Sequence, residues 1–156
     1  MSERILMPLD GSKLGEAAIS YLDGLISRLA PGETVEVILF HVITKVRHNV
    51  SYRGGGSVPI PYTEEELGKM KDEASAYLDR VSKSLQNAKI HTVSKVTVNE
   101  NPARAILEAK KEVNADLIAM ATHGRSGLTR FAIGSVADKV MRESGIPVLM
   151  VRSSEE

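Results

Sequence analysis

Length, composition and charge limit what this chain can be. It has 156 residues with 20 Lys+Arg and 20 Asp+Glu, and 42% of its side chains are hydrophobic, which is typical of one globular domain. The balanced charge argues against a nucleic-acid partner, and the absence of cysteine excludes a disulfide framework and a thiol nucleophile. No apolar run has the length of a signal peptide core or a membrane span. We therefore expect a single domain over 1–156, in the cytoplasm, with no membrane partner.

Short apolar runs alternate along the chain with longer amphipathic segments. The short runs predict five strands: Arg4–Leu9, Val35–Val42, Ile90–Val98, Leu117–Ala121 and Val148–Val151. After each of the first four strands, the spacing of apolar residues predicts a helix with one buried face. The helix starts are marked by Ser12, by the capping box of Thr63 and Glu66, by Asn101 before Pro102, and by Gly134-Ser135.

One segment, 44–62, fits neither pattern. It contains Gly54-Gly55-Gly56 and Pro59-Ile60-Pro61, and it has no helical period. We predict an irregular, flexible insertion within the domain at this point. Its cations, which we expect to be solvated, are Lys45, Arg47 and Arg53.

The order of the elements predicts the fold. Strict alternation of strand and helix favours a parallel, doubly wound sheet with helices on both faces. Ile90–Val98 alternates apolar and polar residues more than the other strands do, which suits an edge strand. Ligands of such sheets bind beyond the carboxyl ends of the strands. Those ends are followed here by Asp10-Gly11, by Ile43, by Asn99 and by the residues from Ala121 onward.

The stretch ATHGRSGLTRFAIGS, residues 121–135, has the features of a phosphate-binding loop. Gly124 and Gly127 permit positive φ and close approach of the backbone to a ligand. Gly134-Ser135 stands at a predicted helix N-terminus, where unpaired N–H groups and the helix dipole favour an anion. The stretch matches neither the Walker A loop nor the dinucleotide fingerprint. The residues alone leave open a loop whose glycines serve only tight turns.

The same stretch resembles the C-terminal signature of the universal stress protein family, written G-x2-G-x9-G-[S/T] in members that bind ATP. Gly124, the nine residues that follow it and Gly134-Ser135 match the second and third parts of the signature. The first glycine is replaced by Ala121, at a position that lies against the ribose in ATP-binding members. Other segments similar to strands of the family are Ile5–Ser12, Leu39–Val42, Asp116–Ile118 and Ile146–Val151.

This resemblance implies a Rossmann-like fold of the adenine nucleotide alpha hydrolase type, with strand order 3-2-1-4-5 and a nucleotide site. The implied site residues are Pro8, Asp10, Val42, Ala121, Thr122, His123, Gly124, Arg125, Ser126, Gly127, Gly134, Ser135, Val136 and Ala137. Pro8 and Asp10 would line the adenine and the ribose, and Val42 would present its backbone to the adenine edge. Residues 121–127 would wrap the ribose and phosphates, and residues 135–137 would donate hydrogen bonds to the phosphates.

The resemblance also implies a ligand, an assembly and a role. The ligand would be ATP, or AMP or ADP, with Mg or Mn carried on the phosphates and no metal ligand from a protein side chain. The protein would be a homodimer that regulates an unknown protein partner in a stress response. The strand that would form the dimer comprises Val148, Leu149, Met150 and Val151. Ala121 keeps open a nucleotide-free interaction module of the same fold, and a slow ATP hydrolase is the weaker alternative.

Several polar residues also have simple structural interpretations. Asp10, before Gly11, can shape an Asx-type turn as well as bind a ligand. His41 lies in an apolar run, and we interpret it as a satisfied core or edge histidine. No serine lies in a nucleophile elbow, and no spacing links Asp10 or Asp138 to a nucleophile. We therefore predict no catalytic residue.

Overall fold

The computed structural model of the chain describes residues 3–11, 13–29, 32–85, 89–122 and 134–152. Its strands are β1 (Glu3–Pro8), β2 (Val35–Ile43), β3 (Arg47–Tyr52), β4 (Gly56–Pro61), β5 (Ile90–Val98), β6 (Leu117–Thr122) and β7 (Val148–Arg152). Its helices are α1 (Lys13–Leu29), α2 (Glu64–Leu85), α3 (Pro102–Glu112) and α4 (Ser135–Glu143).

Five of the strands form one parallel sheet in the order β5-β2-β1-β6-β7. When the strands of this sheet are counted along the chain, the order is 3-2-1-4-5, which confirms the predicted doubly wound topology. β5 and β7 are the two edges, as the alternating sequence of β5 and the terminal position of β7 indicated. The strand order reverses between β1 and β6, which places the ligand-binding edge of the fold at their carboxyl ends.

Two layers of helices bury the two faces of the sheet. On one face, α1 packs on β6 and β7 while α2 packs on β5 and β2. On the other face, α3 and α4 pack on each other and cover a second cluster of buried residues around Phe40. Strand β1 contributes to both clusters, because Ile5 and Met7 face α1 and α2 while Leu6 faces α3 and α4. No helix in the described ranges is long and apolar enough to cross a membrane.

The segment 44–62 is not irregular, and that prediction was wrong. β3 and β4 pair as an antiparallel hairpin from Arg47–Pro61 to Tyr52–Gly56. Its three-residue turn ends in Gly54 and Gly55, which have φ values of 128° and 87° and so occupy a region that favours glycine. The cations of this segment are exposed, as predicted.

Side-chain caps fix the starts of two helices where the sequence predicted them. The Thr63 hydroxyl accepts a hydrogen bond from the Glu66 amide at 3.1 Å, and the Glu66 carboxylate accepts one from the Thr63 amide at 3.4 Å. These two bonds are the capping box of α2. At the start of α3, the Asn101 side chain accepts from the Arg104 amide at 3.1 Å, and Pro102 occupies the first helical position.

Replacing the cap of α3 is expected to destabilise the domain. Asn101→Ala removes the acceptor of the Arg104 amide and should lower the free energy of unfolding by about 1 kcal/mol. The matched control is Asn101→Asp, which keeps an acceptor at the same place and should stay within a few tenths of a kcal/mol of the wild type. Urea unfolding followed by circular dichroism measures both. Equal losses in the two variants would show that the side-chain acceptor does not stabilise α3.

Candidate functional site

A crevice opens between β1 and β6 at the carboxyl edge of the sheet. The pairing of these two strands ends at Leu6 and Ile118. β1 continues to pair with β2 as far as Pro8 and Phe40, and β6 continues to pair with β7 as far as Thr122. Each strand thus keeps its outer partner while the two strands part from each other, at the point where the strand order reverses.

His41 fixes the end of β1 against β2. The Leu9 amide donates to the Phe40 carbonyl oxygen at 2.8 Å, which extends the ladder by one residue. The next bond of a parallel ladder would join the Val42 amide to the Leu9 carbonyl oxygen. That oxygen lies 2.7 Å from His41 Nδ1. Because a carbonyl oxygen only accepts, Nδ1 carries the proton of this bond. The interpretation of His41 as a satisfied histidine is confirmed.

The predicted residues of β1 and β2 reach this edge together. Pro8 is the half-buried last residue of β1, and Asp10 is exposed two residues beyond it. Gly11 has a φ of 87° and turns the chain towards α1. The side chain of Val42 is half-buried against the core cluster under α3 and α4. The C=O of Phe40 faces β1, and by alternation the N–H and C=O of Val42, two residues further along β2, face the same side. At that position β1 has already ended.

Ala121 lies on the other side of the crevice, in β6. It pairs with Val151 and is half-buried. Ala119, two residues earlier, belongs to the cluster under α1 and α2, whereas Met120 belongs to the cluster under α3 and α4. By the same alternation, the Ala121 methyl group lies on the α1 face of the sheet. The backbone of Thr122 is the last of β6.

The N-terminus of α4 belongs to the opposite face. Gly134 is the N-cap, and because glycine has no side chain it gives the first turn of α4 no side-chain cap. Ser135 is exposed, Val136 is half-buried and Ala137 is 6% exposed. Because its side chain is buried, Ala137 can offer a ligand only its N–H group. Ser135 can offer both its N–H and its hydroxyl group. The predicted residues His123, Gly124, Arg125, Ser126 and Gly127 lie outside the described residues.

One feature of this region was not predicted. A cleft of about 540 Å³ lies between α1 and α2 and is lined by Gly11 and by residues of both helices, among them Tyr77 and Arg80. The Tyr77 ring makes an edge contact with the His41 ring, with centroids 6.5 Å apart. The apolar period of this segment predicted only a helix with one buried face, because such a period carries no information about neighbours from other elements.

Within the described ranges, no three His, Asp or Glu side chains are placed to hold a metal ion together.

The crevice and strand order define a doubly wound α/β domain of the kind that binds ligands at its switch point. The model of the universal stress protein family matches residues 1–152, and the chain belongs to that family. Universal stress protein MJ0577 of Methanocaldococcus jannaschii is 29% identical over 160 residues, which cover 97% of this chain and 96% of the relative. Universal stress protein YxiE of Bacillus subtilis is 30% identical, with 97% and 100% covered.

Solved structures of the family share the fold. The structure of MJ0577 matches with a TM-score of 0.72 at 24% identity and covers 100% of this chain and 99% of that chain. A universal stress protein in complex with cAMP matches with a TM-score of 0.59 at 20% identity, with 98% of both chains covered.

Removing the His41 ring is expected to loosen the end of β1. In His41→Leu the part-buried Leu9 carbonyl oxygen loses its donor, which should cost about 1–3 kcal/mol of the free energy of unfolding. Exchange of the Leu9 amide hydrogen should also become faster. His41→Asn is the matched control, since its amide nitrogen stands where Nδ1 stood and can donate in its place. Amide exchange measured by NMR compares the three proteins, and equal exchange in all of them would contradict this role of His41.

Proposed function

We propose that this protein binds an adenine nucleotide at the carboxyl edge of its sheet and acts as a regulatory protein in a stress response. The ligand is ATP, or AMP or ADP, and occupancy changes the contacts made with a protein partner. The observation that carries the proposal is the parting of β1 from β6 at the carboxyl edge of the sheet, from which the chain goes on to the N-terminus of α4. A crevice with unpaired N–H groups beside it suits a ligand with a flat base and an anionic tail.

The phosphates are assigned to the first turn of α4. The N–H groups of residues 135–137 have no partner within the helix, as at every helix start. Together with the helix dipole they favour negative charge, and the Ser135 hydroxyl group adds a donor. A Mg or Mn ion would be carried on the phosphate oxygens and partly neutralise them, with solvent as its other ligand. Among the described residues, no three His, Asp or Glu side chains are placed to hold the ion, and the one acidic residue of this turn, Asp138, pairs with Arg142 at 3.1 Å.

The adenine is assigned to the end of β2. Because the His41 ring bonds the Leu9 carbonyl oxygen, the N–H and C=O of Val42 are directed at the edge and can bond a base there. A donor and an acceptor side by side match the adenine edge, which presents an amino group next to a ring nitrogen. Pro8 and Asp10, at the end of the neighbouring strand, are assigned to the adenine and ribose side of this position.

Ala121 is the departure from the family signature that bears most on affinity. Its methyl group lies on the α1 face, whereas the phosphate donors of α4 lie on the opposite face. The methyl group therefore approaches the sugar and leaves the phosphate donors accessible. The solved relative in complex with cAMP supports an adenine nucleotide as the class of ligand. A nucleotide-free interaction module is the alternative that Ala121 favours. Any turnover of ATP is expected to be far below the 1–1000 per second of ordinary enzymes.

Calorimetric titration of nucleotide-free protein with Mg·ATP tests the proposal. We expect micromolar binding by the wild type and tighter binding by Ala121→Gly, because glycine removes the methyl group beside the sugar. Ser135→Ala should bind about 10- to 100-fold more weakly, since a hydrogen bond to a charged group contributes about 1.5–3 kcal/mol. Ser135→Thr keeps the hydroxyl group and is the matched control. Native mass spectrometry first verifies that no nucleotide was carried through purification.

The outcomes separate the alternatives. Binding only after Ala121→Gly would identify one methyl group as the reason for an interaction module. If neither the wild type nor Ala121→Gly binds Mg·ATP, this nucleotide is excluded as the ligand. The glycines of residues 121–135 would then have a structural role.

We also propose that the protein is a homodimer formed through β7. The outer edge of β7 has no strand partner within the described sheet, and an open edge invites pairing with another chain. The Pro147 carbonyl oxygen accepts from the Ile118 amide at 3.1 Å, which fixes the direction of the ladder. By alternation, the N–H groups of Leu149 and Val151 face β6, and the N–H group of Met150 faces outward.

Met150→Pro is expected to abolish this dimer. It removes an outward N–H group that strand pairing would use, and it leaves the ladder between β6 and β7 intact. Met150→Val shortens the side chain to a similar extent but keeps the N–H group, so this control should remain dimeric. Light scattering at micromolar concentration measures both masses. Dimers in both variants would place the contact elsewhere, and a monomeric wild type would end this proposal.

A further inference from the structure

The hairpin of β3 and β4 stands apart from the rest of the domain. Neither strand joins the main sheet, and with respect to the residues that the structure describes the hairpin makes its contacts almost entirely within itself. Its base is closed by a hydrogen bond from the Tyr62 amide to the Val46 carbonyl oxygen at 2.9 Å. A two-stranded hairpin in water is at best marginally stable by itself. An additional contact is therefore expected to hold it.

The two faces of this hairpin differ in chemistry. The register places Val50 opposite Val58, with His48–Ile60 on one side of that pair and Tyr52–Gly56 on the other. These residues share one face, which we call the apolar hairpin face: His48, Val50, Tyr52, Gly56, Val58 and Ile60. The residues of the opposite face are Arg47, Asn49, Ser51, Ser57, Pro59 and Pro61.

Four side chains of the apolar hairpin face are open to solvent, whereas His48 is half-buried beside the Tyr62 ring, with ring centroids 4.8 Å apart. Tyr52 is 57% exposed and Val58 is 49% exposed, and both Val50 and Ile60 are 41% exposed. They form four of the seven large hydrophobic side chains that are exposed among the described residues. Single exposed apolar residues are ordinary, but a contiguous group on a projecting hairpin marks an interaction surface.

Charge differs between the two ends of the hairpin. Arg53 is at the tip, in the turn after Tyr52. At the base, α2 begins directly beyond β4 with three acidic residues in its first turn, Glu64, Glu65 and Glu66. Arg47 is also near the base, but the register places it on the opposite face. The hairpin therefore has a cation at its tip, and its base has three glutamates against one cation outside the strands, the exposed Lys45.

We propose that the apolar hairpin face binds the same face of a second copy of this chain, in a two-fold, antiparallel arrangement. The Val50–Val58 pair lies near the axis, and Tyr52 of each copy packs over the His48–Ile60 end of the other. Arg53 of each copy approaches the acidic first turn of α2 in the other. A two-fold contact requires a surface that complements itself, and opposite charges at the two ends of one apolar face meet that requirement.

A second copy fits better than a lipid surface. An anionic membrane would be attracted by Arg53 and repelled by the three glutamates at the base. The area indicates a reversible contact: six-residue strands make a face roughly 20 Å long and 10 Å wide. That footprint is small beside the roughly 800 Å² per partner of a stable interface. The proposal uses neither the nucleotide site nor β7, so its failure is distinguishable from theirs.

Cross-linking tests the proposal directly, because the chain has no cysteine of its own. Val58→Cys places one thiol on the apolar hairpin face, near the axis. Ser57→Cys is the matched control, since the adjacent residue faces the other way. A short bis-maleimide spans the roughly 10 Å between packed sheets. We expect covalent dimers to form roughly tenfold faster from Val58→Cys than from Ser57→Cys, owing to the high effective concentration of paired thiols. Equal rates in the two variants would overturn the proposal.

Charge reversal tests the antiparallel arrangement. Arg53→Glu is expected to slow cross-linking of Val58→Cys several-fold, and adding Glu64→Lys and Glu65→Lys is expected to restore it. Failure of this restoration in a protein with unchanged circular dichroism would overturn the antiparallel arrangement. Phosphatidylserine vesicles provide the remaining test. If the Val58→Cys protein is not cross-linked in solution and its thiol is protected only by these vesicles, the apolar hairpin face binds lipid. That result would overturn the proposal.

Discussion

Strand β1 has hydrogen-bonding partners on both sides at its amino end but on only one side at its carboxyl end. This constraint arises where the strand order reverses, because β1 and β6 lead to helices on opposite faces of the sheet, α1 and α4. Each part of the candidate site depends on this constraint on β1. The crevice exists because β6 leaves β1 after Ile118, and the Val42 backbone is directed at the crevice because β1 has ended. The His41 ring bonds the Leu9 carbonyl group, one residue beyond β1, in place of the Val42 amide of β2.

Most of the fold could be predicted from the sequence because its signals are local. Alternation of strand and helix, the caps at Thr63 and Asn101 and the short apolar strands each express the preference of a few consecutive residues. The hairpin was missed because Pro59 and Pro61 read as strand breakers. The bond from Tyr62 to Val46 shows that both prolines occupy positions whose backbone nitrogen faces away from β3, where no N–H is needed. The alternation of Val50 and Tyr52 around polar residues was the available signal.

The candidate site was predicted less completely, because its geometry depends on contacts between distant residues. The sequence indicated that Pro8, Val42 and Ala121 lie at the carboxyl ends of strands, and parallel strands bring such ends to one edge. It did not indicate that His41 would bond Leu9 and so leave the Val42 backbone facing outward. It also did not indicate that Tyr77 would reach His41 from α2. A histidine in an apolar run has many possible partners, and only the folded chain selects one.

The prolines of β4 also limit how the hairpin can assemble. Continuous growth of a sheet by strand addition requires donors on both edges of every unit that is added. Two of the three outward backbone positions of β4 are proline, so this edge presents acceptors with almost no donors. Two hairpins could pair through their β3 edges, and the sheet would then have a proline-containing β4 edge on each side. The hairpin can therefore expose valine, tyrosine and isoleucine to solvent without growing a continuous sheet through its edges.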